Sequence, residues 1–413
     1  MALDAFNRLR ISNPFSLFDY YPSPLSANSS LDEDQFLTFN SGSNYSISYN
    51  SANYISLNLT GSGYIIRQSK VPMDYQPGKS RLIYISGVVL ASSSGTGSLN
   101  SSIGLMNTSA STINEGIYFK TDGTTLYWAE TVQTTSSTTA ETAVAQSSWN
   151  IDTFNGSGPS GQTLTSSNLA TNLIFVIDQE WLGVGRVRCG FVINGILYYA
   201  HQFIHSGNTV QYTTTPRQYI TQYLTSTGKS ASSRQMCCTC ISEGGYLPLG
   251  KRNSISTKLS GGIAVTNGTQ TTGYIALGLK LQSSYLNGML KPINLSIATD
   301  AAAGKMGYYE IQLHTNSSAG SIGSISGTLP SYTALTDSIA QYVIGNATQT
   351  IATNGYILVS GFVTGRSDTT FSRNDFETLL TRAICTQYDT IYIVVYGNSG
   401  CNMFASVDFI ESI

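Results

Sequence analysis

The feature that most constrains this chain is its succession of short apolar runs, each only long enough for a strand. They include Leu82–Leu90 (LIYISGVVL), Leu173–Asp178 (LIFVID), Arg186–Ile193 (RVRCGFVI), Tyr274–Leu281 (YIALGLKL), Tyr356–Phe362 (YILVSGF) and Ile391–Tyr396 (IYIVVY). These runs are rich in β-branched and aromatic residues and bounded by Gly, Asn, Ser or Asp, the signature of strands closed by turns. Asn194-Gly195 separates two of them as a type I′ hairpin turn would, and Asp122-Gly123 sits similarly between IYFKT and TTLYWAE. Many short antiparallel strands predict an all-β chain of β-sandwich or jelly-roll-like domains and exclude a parallel α/β sheet. The exception is Ser372–Thr386. There Phe376, Leu379, Leu380, Ala383 and Ile384 recur at helical spacing, so one helix is expected near the C-terminus.

Punctuation divides the chain. Residues 1–30 read as an extended arm, because Pro14, Pro22 and Pro24 interrupt regular structure. Its apolar residues cannot cover themselves. A first β-sandwich is expected over 31–249 and a second over 257–413, separated by the Gly- and Pro-containing stretch Ser242–Ser256. Ala91–Thr112 and Thr131–Ser148, rich in Ser, Thr, Gly and Ala, read as long surface loops of the first domain.

Charge is scarce. Lys and Arg number 21 against 23 Asp and Glu, which makes 11% charged residues and a net charge of -2. A soluble domain usually carries about 25%. Ser, Thr, Gly 39 and Tyr 26 fill the shortfall. No basic stripe exists to neutralise phosphates, which argues against nucleic-acid binding. No apolar run approaches the ~20 residues that span a bilayer, and the charged start MALDAFNRLRIS is unlike a signal peptide, so cytosolic synthesis is expected. Six irregularly spaced cysteines do not form a disulfide framework.

Catalytic or metal chemistry finds few candidates. His201 and His205 in HQFIH have a metal-pair spacing, yet they lie in a strand-like run without a third ligand or an adjacent Glu. Cys237, Cys238 and Cys240 lack a second cysteine pair, and alternation places Cys238 and Cys240 on one strand face with Cys237 on the other. Gly183-Val184-Gly185 and Gly78-Lys79-Ser80 are each followed by a strand where a phosphate loop needs a helix. Asp178 and Glu180 form a local carboxylate pair at alternate strand positions, sharing one face. Sequons such as those at Asn58, Asn107, Asn267 and Asn346 are expected by chance in this composition. No enzymatic activity, cofactor or metal is therefore expected.

The arm DAFNRLRISNPFSLFD (Asp4–Asp19) resembles the Asp-Ala-Phe-x-Arg-Leu-Arg-[Val/Ile]-Ser-x-Pro-x-x-Leu-Phe signature that opens many virion structural proteins of tailed phages and large DNA viruses. RQSKVPMDYQPGKSRLI (Arg67–Ile83), WNIDTFNGSGPSG (Trp149–Gly161), DQEWLGVGRVRCGFVINGILYYAHQFIH (Asp178–His205) and SEGGY (Ser242–Tyr246) match further, in order. The resemblance covers the arm and most of the first domain. It implies a non-enzymatic structural component of a virus particle, such as a minor capsid, decoration or fibre-type protein, located in the virion and partnered by other virion proteins. Low charge with abundant Ser, Thr, Asn and Tyr suits hydrogen-bonded subunit interfaces. A homo-oligomer is expected, a trimer being the common case for fibres and jelly-roll shells. Phe6, Arg8, Leu9, Arg10, Ile11, Phe15, Leu17 and Phe18 are the expected docking residues, with the two arginines bonding carboxylate or carbonyl oxygens. The alternative is that the arm covers its own domain. A second functional reading is a receptor- or glycan-binding module, in which Trp128, Tyr198, Tyr199 or the tyrosines of Gln211–Tyr223 stack on host-surface sugars.

Overall fold

The computed structural model describes the chain apart from residues 1–12, 23–34, 42–43, 51, 110–111, 136–137, 246–249, 259–261, 266–270, 283–288, 301–305, 315–322, 327–330, 365–367, 373–379, 382–389, 398–400 and 413. The fold is all-β, and the chain divides into two compact units, Met1–Leu247 and Pro248–Ile413. The strand Lys251–Ser256 belongs to the second unit, although its sequence reads as part of the connecting stretch.

In the first unit the strands are β1 (Phe15–Tyr20), β2 (Phe36–Asn40), β3 (Tyr45–Asn50), β4 (Tyr54–Thr60), β5 (Gly63–Ser69), β6 (Arg81–Ser94), β7 (Leu99–Ser109) and β8 (Thr112–Thr121). They continue with β9 (Leu126–Thr135), β10 (Thr138–Ala145), β11 (Leu173–Gln179), β12 (Val187–Ile193), β13 (Ile196–Phe203), β14 (Tyr219–Ser226) and β15 (Ser230–Ser242). One sheet has the order β13-β12-β11-β6-β15-β4-β3 with β1 also on β15, and the other runs β10-β9-β8-β7-β14-β5-β2. Inward-facing side chains of both sheets meet in an aromatic core, where the Phe119 and Phe175 rings lie 5.1 Å apart and Phe119 and Trp128 5.3 Å. This is the arrangement that alternating strands with one buried face must reach.

Three sequence expectations fail in instructive ways. Ala91–Thr112 and Thr131–Ser148 are strand for most of their length, in β6, β7, β8, β9 and β10. Hydroxyl residues there satisfy themselves across the ladder, as Ser92 does with Ser232 at 2.7 Å, so small polar side chains do not force a loop. The arm is regular between its prolines: Phe15–Tyr20 lies after Pro14 and before Pro22, so all its amides can enter a ladder. Only Ser372, Leu380 and Thr381 of the expected helix are described. Ser372 ends one strand, and Leu380–Thr381 pairs with Met289–Leu290 as another, which a helix over those two residues would forbid.

Turn chemistry behaves as its residues require at Asn194-Gly195, where both backbones are left-handed (φ 52 and 80) in a two-residue hairpin. Asp122-Gly123 instead opens a four-residue loop, because the Asp122 carboxylate accepts the Thr124 and Thr125 amides at 2.8 Å each.

Two fully buried arginines hold the first unit together. Arg67 on β5 donates to Gln235 Oε1 on β15 at 2.5 Å and Thr38 Oγ1 on β2 at 3.1 Å, and lies 3.4 Å from the Tyr20 hydroxyl on β1. It thus bonds both sheets, with its guanidinium 5.1 Å from the Phe36 ring centre. Arg81 on β6 donates to the carbonyls of Met73 and Pro216 and to Gln179 Oε1, which fixes the 73–80 and 212–218 connections at one end of the sandwich. Burial lowers the Arg81 pKa, while Asp74 is among the groups that oppose it. Both arginines lie in the RQSKVPMDYQPGKSRLI stretch.

The second unit comprises β16 (Lys251–Ser256), β17 (Ile263–Val265), β18 (Tyr274–Leu281), β19 (Met289–Thr299), β20 (Met306–His314), β21 (Ser324–Ser326) and β22 (Thr333–Ala334). It continues with β23 (Ala340–Ile344), β24 (Thr350–Thr353), β25 (Tyr356–Thr364), β26 (Asp368–Ser372), β27 (Leu380–Thr381), β28 (Thr390–Gly397) and β29 (Cys401–Ser412). One sheet is β16-β29-β19-β26 with β17 and β27 attached, and the other is β21-β24-β18-β28-β20-β25 with β22 and β23 attached. Leu277, Ile297, Ile311, Ile393 and Phe409 are buried in the core between them.

Replacing Arg81 or Arg67 by Met should lower unfolding free energy by about 3 kcal/mol or more, because several buried acceptors lose their donor at once. Lys should rescue little, since one ammonium cannot reach the same fork of acceptors. Urea unfolding followed by tryptophan fluorescence checks this, and a change below about 1 kcal/mol would contradict it.

Candidate functional site

The candidate site arises where two strands share one long edge of β15. Its first half, Ser230–Gln235, pairs with β4, and its second half, Cys238–Ser242, pairs with β1. Between them the register against β6 shifts, so that Met236 and Cys237 together oppose Ser86. Ser86 holds this bulge through its hydroxyl, which accepts the Cys237 amide at 3.0 Å and donates to the Cys237 carbonyl at 3.1 Å. The bulge also switches which alternate residues face the core: Ala231, Ser233 and Gln235 before it, Cys238, Cys240 and Ser242 after it. A notch is left beside the end of β1.

That notch is a pocket of about 370 Å³ lined by Asp19, Tyr20, Tyr21, Tyr84, Ser86, Ile174, Cys237, Cys238 and Thr239. Tyr21 is 70% exposed and Ile174 39%, so aromatic and aliphatic surface faces outward. The Asp19 carboxylate accepts from Thr239 Oγ1 at 2.5 Å and from Ser16 Oγ. Burial raises the Tyr84 pKa, and the nearby carboxylates of Asp178 and Glu243 add to the effect, so its phenol stays a donor. Apolar walls with a few placed hydroxyls and one carboxylate are typical of small-molecule pockets.

The sequence candidates fall elsewhere. Asp178 is buried and pairs with Arg188, and it accepts from the Tyr199 hydroxyl at 2.8 Å. Glu180 pairs with Arg186 at 2.8 Å, so each carboxylate has its own guanidinium and the two do not converge on one cleft. Trp128 is fully buried, and Tyr212, Tyr219 and Tyr223 are at most 5% exposed, which corrects their assignment as sugar-stacking rings. Tyr199 is held between Asp178 and Arg188, whose guanidinium sits 4.5 Å from its ring centre, and half-buried Tyr198 packs against the core. Tyr20, Tyr21 and Tyr84 were missed. The adjacent aromatics of FDYY, at the end of an arm between prolines, were the available signal.

Of the arm residues, Phe6, Arg8, Leu9, Arg10 and Ile11 lie outside the described residues. Leu17 and Phe18, expected to dock on a neighbour, pack against their own core: Phe18 pairs opposite buried Cys240, and the register irregularity between Ser16 and Phe18 frees Leu17 from strict alternation. Phe15 is 46% exposed.

Cys238 and Cys240 are buried and Cys237 is exposed, as alternation predicts. Burial pushes the Cys240 thiol up to about 12, and that of Cys238 well above the ordinary value, which leaves both unreactive. Among the described residues no group of His, Cys, Asp and Glu is arranged to hold a metal ion, and no helix is long and apolar enough to cross a membrane.

The two histidines of HQFIH have opposite electrostatics. His201 is buried and accepts the Asn150 amide at 3.3 Å, and desolvation lowers its pKa to about 4. His205 is stacked on Tyr212 at 3.9 Å, with Nε2 2.8 Å from Glu130 and Nδ1 facing the Gly185 carbonyl. Burial works against its charge, but these acceptors outweigh it and the pKa is raised. In the second unit His314 is again depressed to about 4 by burial.

No family model matches the sequence. No curated protein matches it. Among solved structures, an endo-1,3-beta-glucanase from Streptomyces sioyaensis is 10% identical with a TM-score of 0.35, over 56% of this chain and 97% of that one. A legume lectin-like domain from Entamoeba histolytica is 12% identical with a TM-score of 0.29, over 49% and 89%. A carbohydrate esterase from the Shiga toxin-encoding bacteriophage phi24B is 10% identical with a TM-score of 0.33, over 56% and 100%. No residue of theirs is transferred to this chain.

The histidines give a signed pH dependence. A lowered folded pKa means the unfolded chain binds the proton first, so the His314 contribution is complete above about pH 6.5 and is lost as pH falls towards 4, by roughly 3 kcal/mol at most. His205, whose folded pKa is raised, contributes below about pH 6.5 and loses that contribution as pH rises through its folded pKa. Stability measured against pH should therefore show a shallower acid loss in His314→Asn and a shallower loss towards alkaline pH in His205→Gln. Unchanged slopes would contradict both assignments.

Proposed function

We propose that this chain is a non-hydrolytic structural component of a virus particle whose first sandwich binds a saccharide in the pocket of Tyr21 and Tyr84. The observation that carries the binding reading is the pocket's chemistry. Exposed Tyr21 and half-buried Tyr84 offer apolar ring surface to the C–H faces of a pyranose, while Asp19, Ser86 and the phenols offer acceptors and donors for ring hydroxyls. The low charge of the chain suits a neutral, hydroxyl-rich ligand, which would gain little from a strong field.

Placement in a particle rests on the arm signature and the ordered matches that follow it. Two of those stretches hold buried polar contacts of the first unit. Arg67 and Arg81 are buried staples, and Asp152 of WNIDTFNGSGPSG accepts the Phe154 amide at 2.8 Å and the Ser160 amide at 2.7 Å. A Cβ at Gly158 would stand 2.0 Å from the Asp152 carboxylate, so a larger residue there would push the carboxylate off these amides. The matched stretches supply scaffold, and the pocket lies between the arm strand and the sheet they build.

A glycan array probed with the full chain, followed by calorimetry on any hit, tests the reading. Tyr84→Ala and Tyr21→Ala should each weaken binding about tenfold, the equivalent of ~1.4 kcal/mol. Absence of saturable binding, or affinity unchanged in both variants, would overturn the pocket assignment. Mass spectrometry of purified particles tests the placement separately.

A further inference from the structure

The loops at one end of the first unit carry an apolar surface that the pocket does not use. Leu182 is 51% exposed, Val184 41%, Ile204 60% and Val210 72%. They belong to two connections, 180–186 between β11 and β12 and 204–218 after β13, which are bonded to each other. The Tyr212 amide donates to the Gly183 carbonyl at 2.9 Å, and His205 Nδ1 meets the Gly185 carbonyl. The Leu182 amide donates to the Tyr75 hydroxyl at 3.1 Å, and the Gly185 amide to the Trp181 carbonyl at 2.7 Å. Leu182 and Gly183 are left-handed (φ 36 and 78), a conformation these bonds hold. The apolar side chains are thus presented by a fixed frame. Around them lie exposed Ser206, Asn208 and Gln211, and the adjoining charges of Arg186 and Glu180 neutralise each other. An apolar centre with a polar, uncharged rim is the anatomy of a contact surface.

We infer that this surface receives the apolar residues of the chain's own N-terminal arm, Phe6, Leu9 and Ile11. The direction of β1 and the reach of the arm carry the argument. Phe15 begins β1 opposite Ser242, and the same row continues across the sheet through Arg81, Gln179, Val187 and Phe203. Residues before Phe15 therefore leave the sheet at the end where the 180–186 and 204–218 connections lie. Strand spacing of about 4.8 Å puts the β11–β12 connection roughly 14–19 Å from β1, and β13 about 24 Å away. Extended chain at about 3.3 Å per residue carries Ile11 some 13 Å from Phe15, Leu9 some 20 Å and Phe6 some 30 Å. Leu9 and Ile11 match Leu182 and Val184, and Phe6 reaches Ile204 and Val210. Tethering holds the arm at an effective concentration on the order of millimolar, which favours its own chain over a second copy.

A photo-reactive benzoylphenylalanine at position 9 of the full chain tests this. Irradiation followed by digestion and mass spectrometry should join position 9 to 182–184 or 204–210, in material migrating as a single chain. Leu182→Ser with Val210→Ser, both exposed and away from the core, should cut that product at least fivefold with an unchanged circular dichroism spectrum. The same peptides joined only in a dimer band would place the arm on a second copy and overturn the inference. So would a product at any other segment, or no product. None of these outcomes bears on saccharide binding at Tyr84.

Discussion

The first unit depends on burying two guanidinium groups among acceptors drawn from distant parts of the chain. Arg67 and Arg81 are at most 1% exposed, and amide, hydroxyl and carbonyl oxygens are among their partners. Desolvating an arginine is costly unless most of its N–H groups find acceptors of good geometry. The chain meets that demand by bringing segments far apart in sequence to one guanidinium. Tyr20, Thr38 and Gln235 converge on Arg67, and Met73, Gln179 and Pro216 on Arg81. These acceptors reach each arginine only when its whole neighbourhood is folded, which couples the arm strand, both sheets and the end connections. In a chain with 11% charged residues, these two charges act as fold-specifying contacts.

The pocket follows from the same arrangement. Arg67 draws Tyr20 towards the core from the end of β1, and Tyr21, next in the alternation, points outward. The bulge at Met236–Cys237 separates the reach of β4 from that of β1, and Ser86 fixes it. A pocket on a sheet face thereby needs no long loop. Most of its walls are strand residues whose positions are set by the ladder.

Much of the fold was legible because period-two patterning survives in single strands such as Tyr54–Thr60 and Ser230–Ser242, whose burial alternates along most of their length. The long polar strands were not legible. Thr131–Thr135 and Thr138–Ala145 carry few large apolar residues, and their place in the sheet comes from neighbours such as Trp128 and Phe119 that anchor the same ladder. Arg67 and Arg81 lie in one short stretch, yet nothing local signals that an arginine will be buried, since its acceptors lie up to 168 positions away. The pocket was illegible for a similar reason. Tyr21, Tyr84 and Thr239 come together only through the pairing of β1, β6 and β15, and a sequence read in windows does not contain that pairing.

Native-state hydrogen exchange across a denaturant series tests the central claim, that the buried arginines make the first unit one cooperative body. The account predicts that amides in Tyr20, Phe36–Asn40, Gly63–Ser69 and Arg81–Leu90 open with a single free energy, equal to that of unfolding the unit. Opening of the Arg67 neighbourhood at a free energy well below that of the Arg81 neighbourhood would show two independent ends and contradict it.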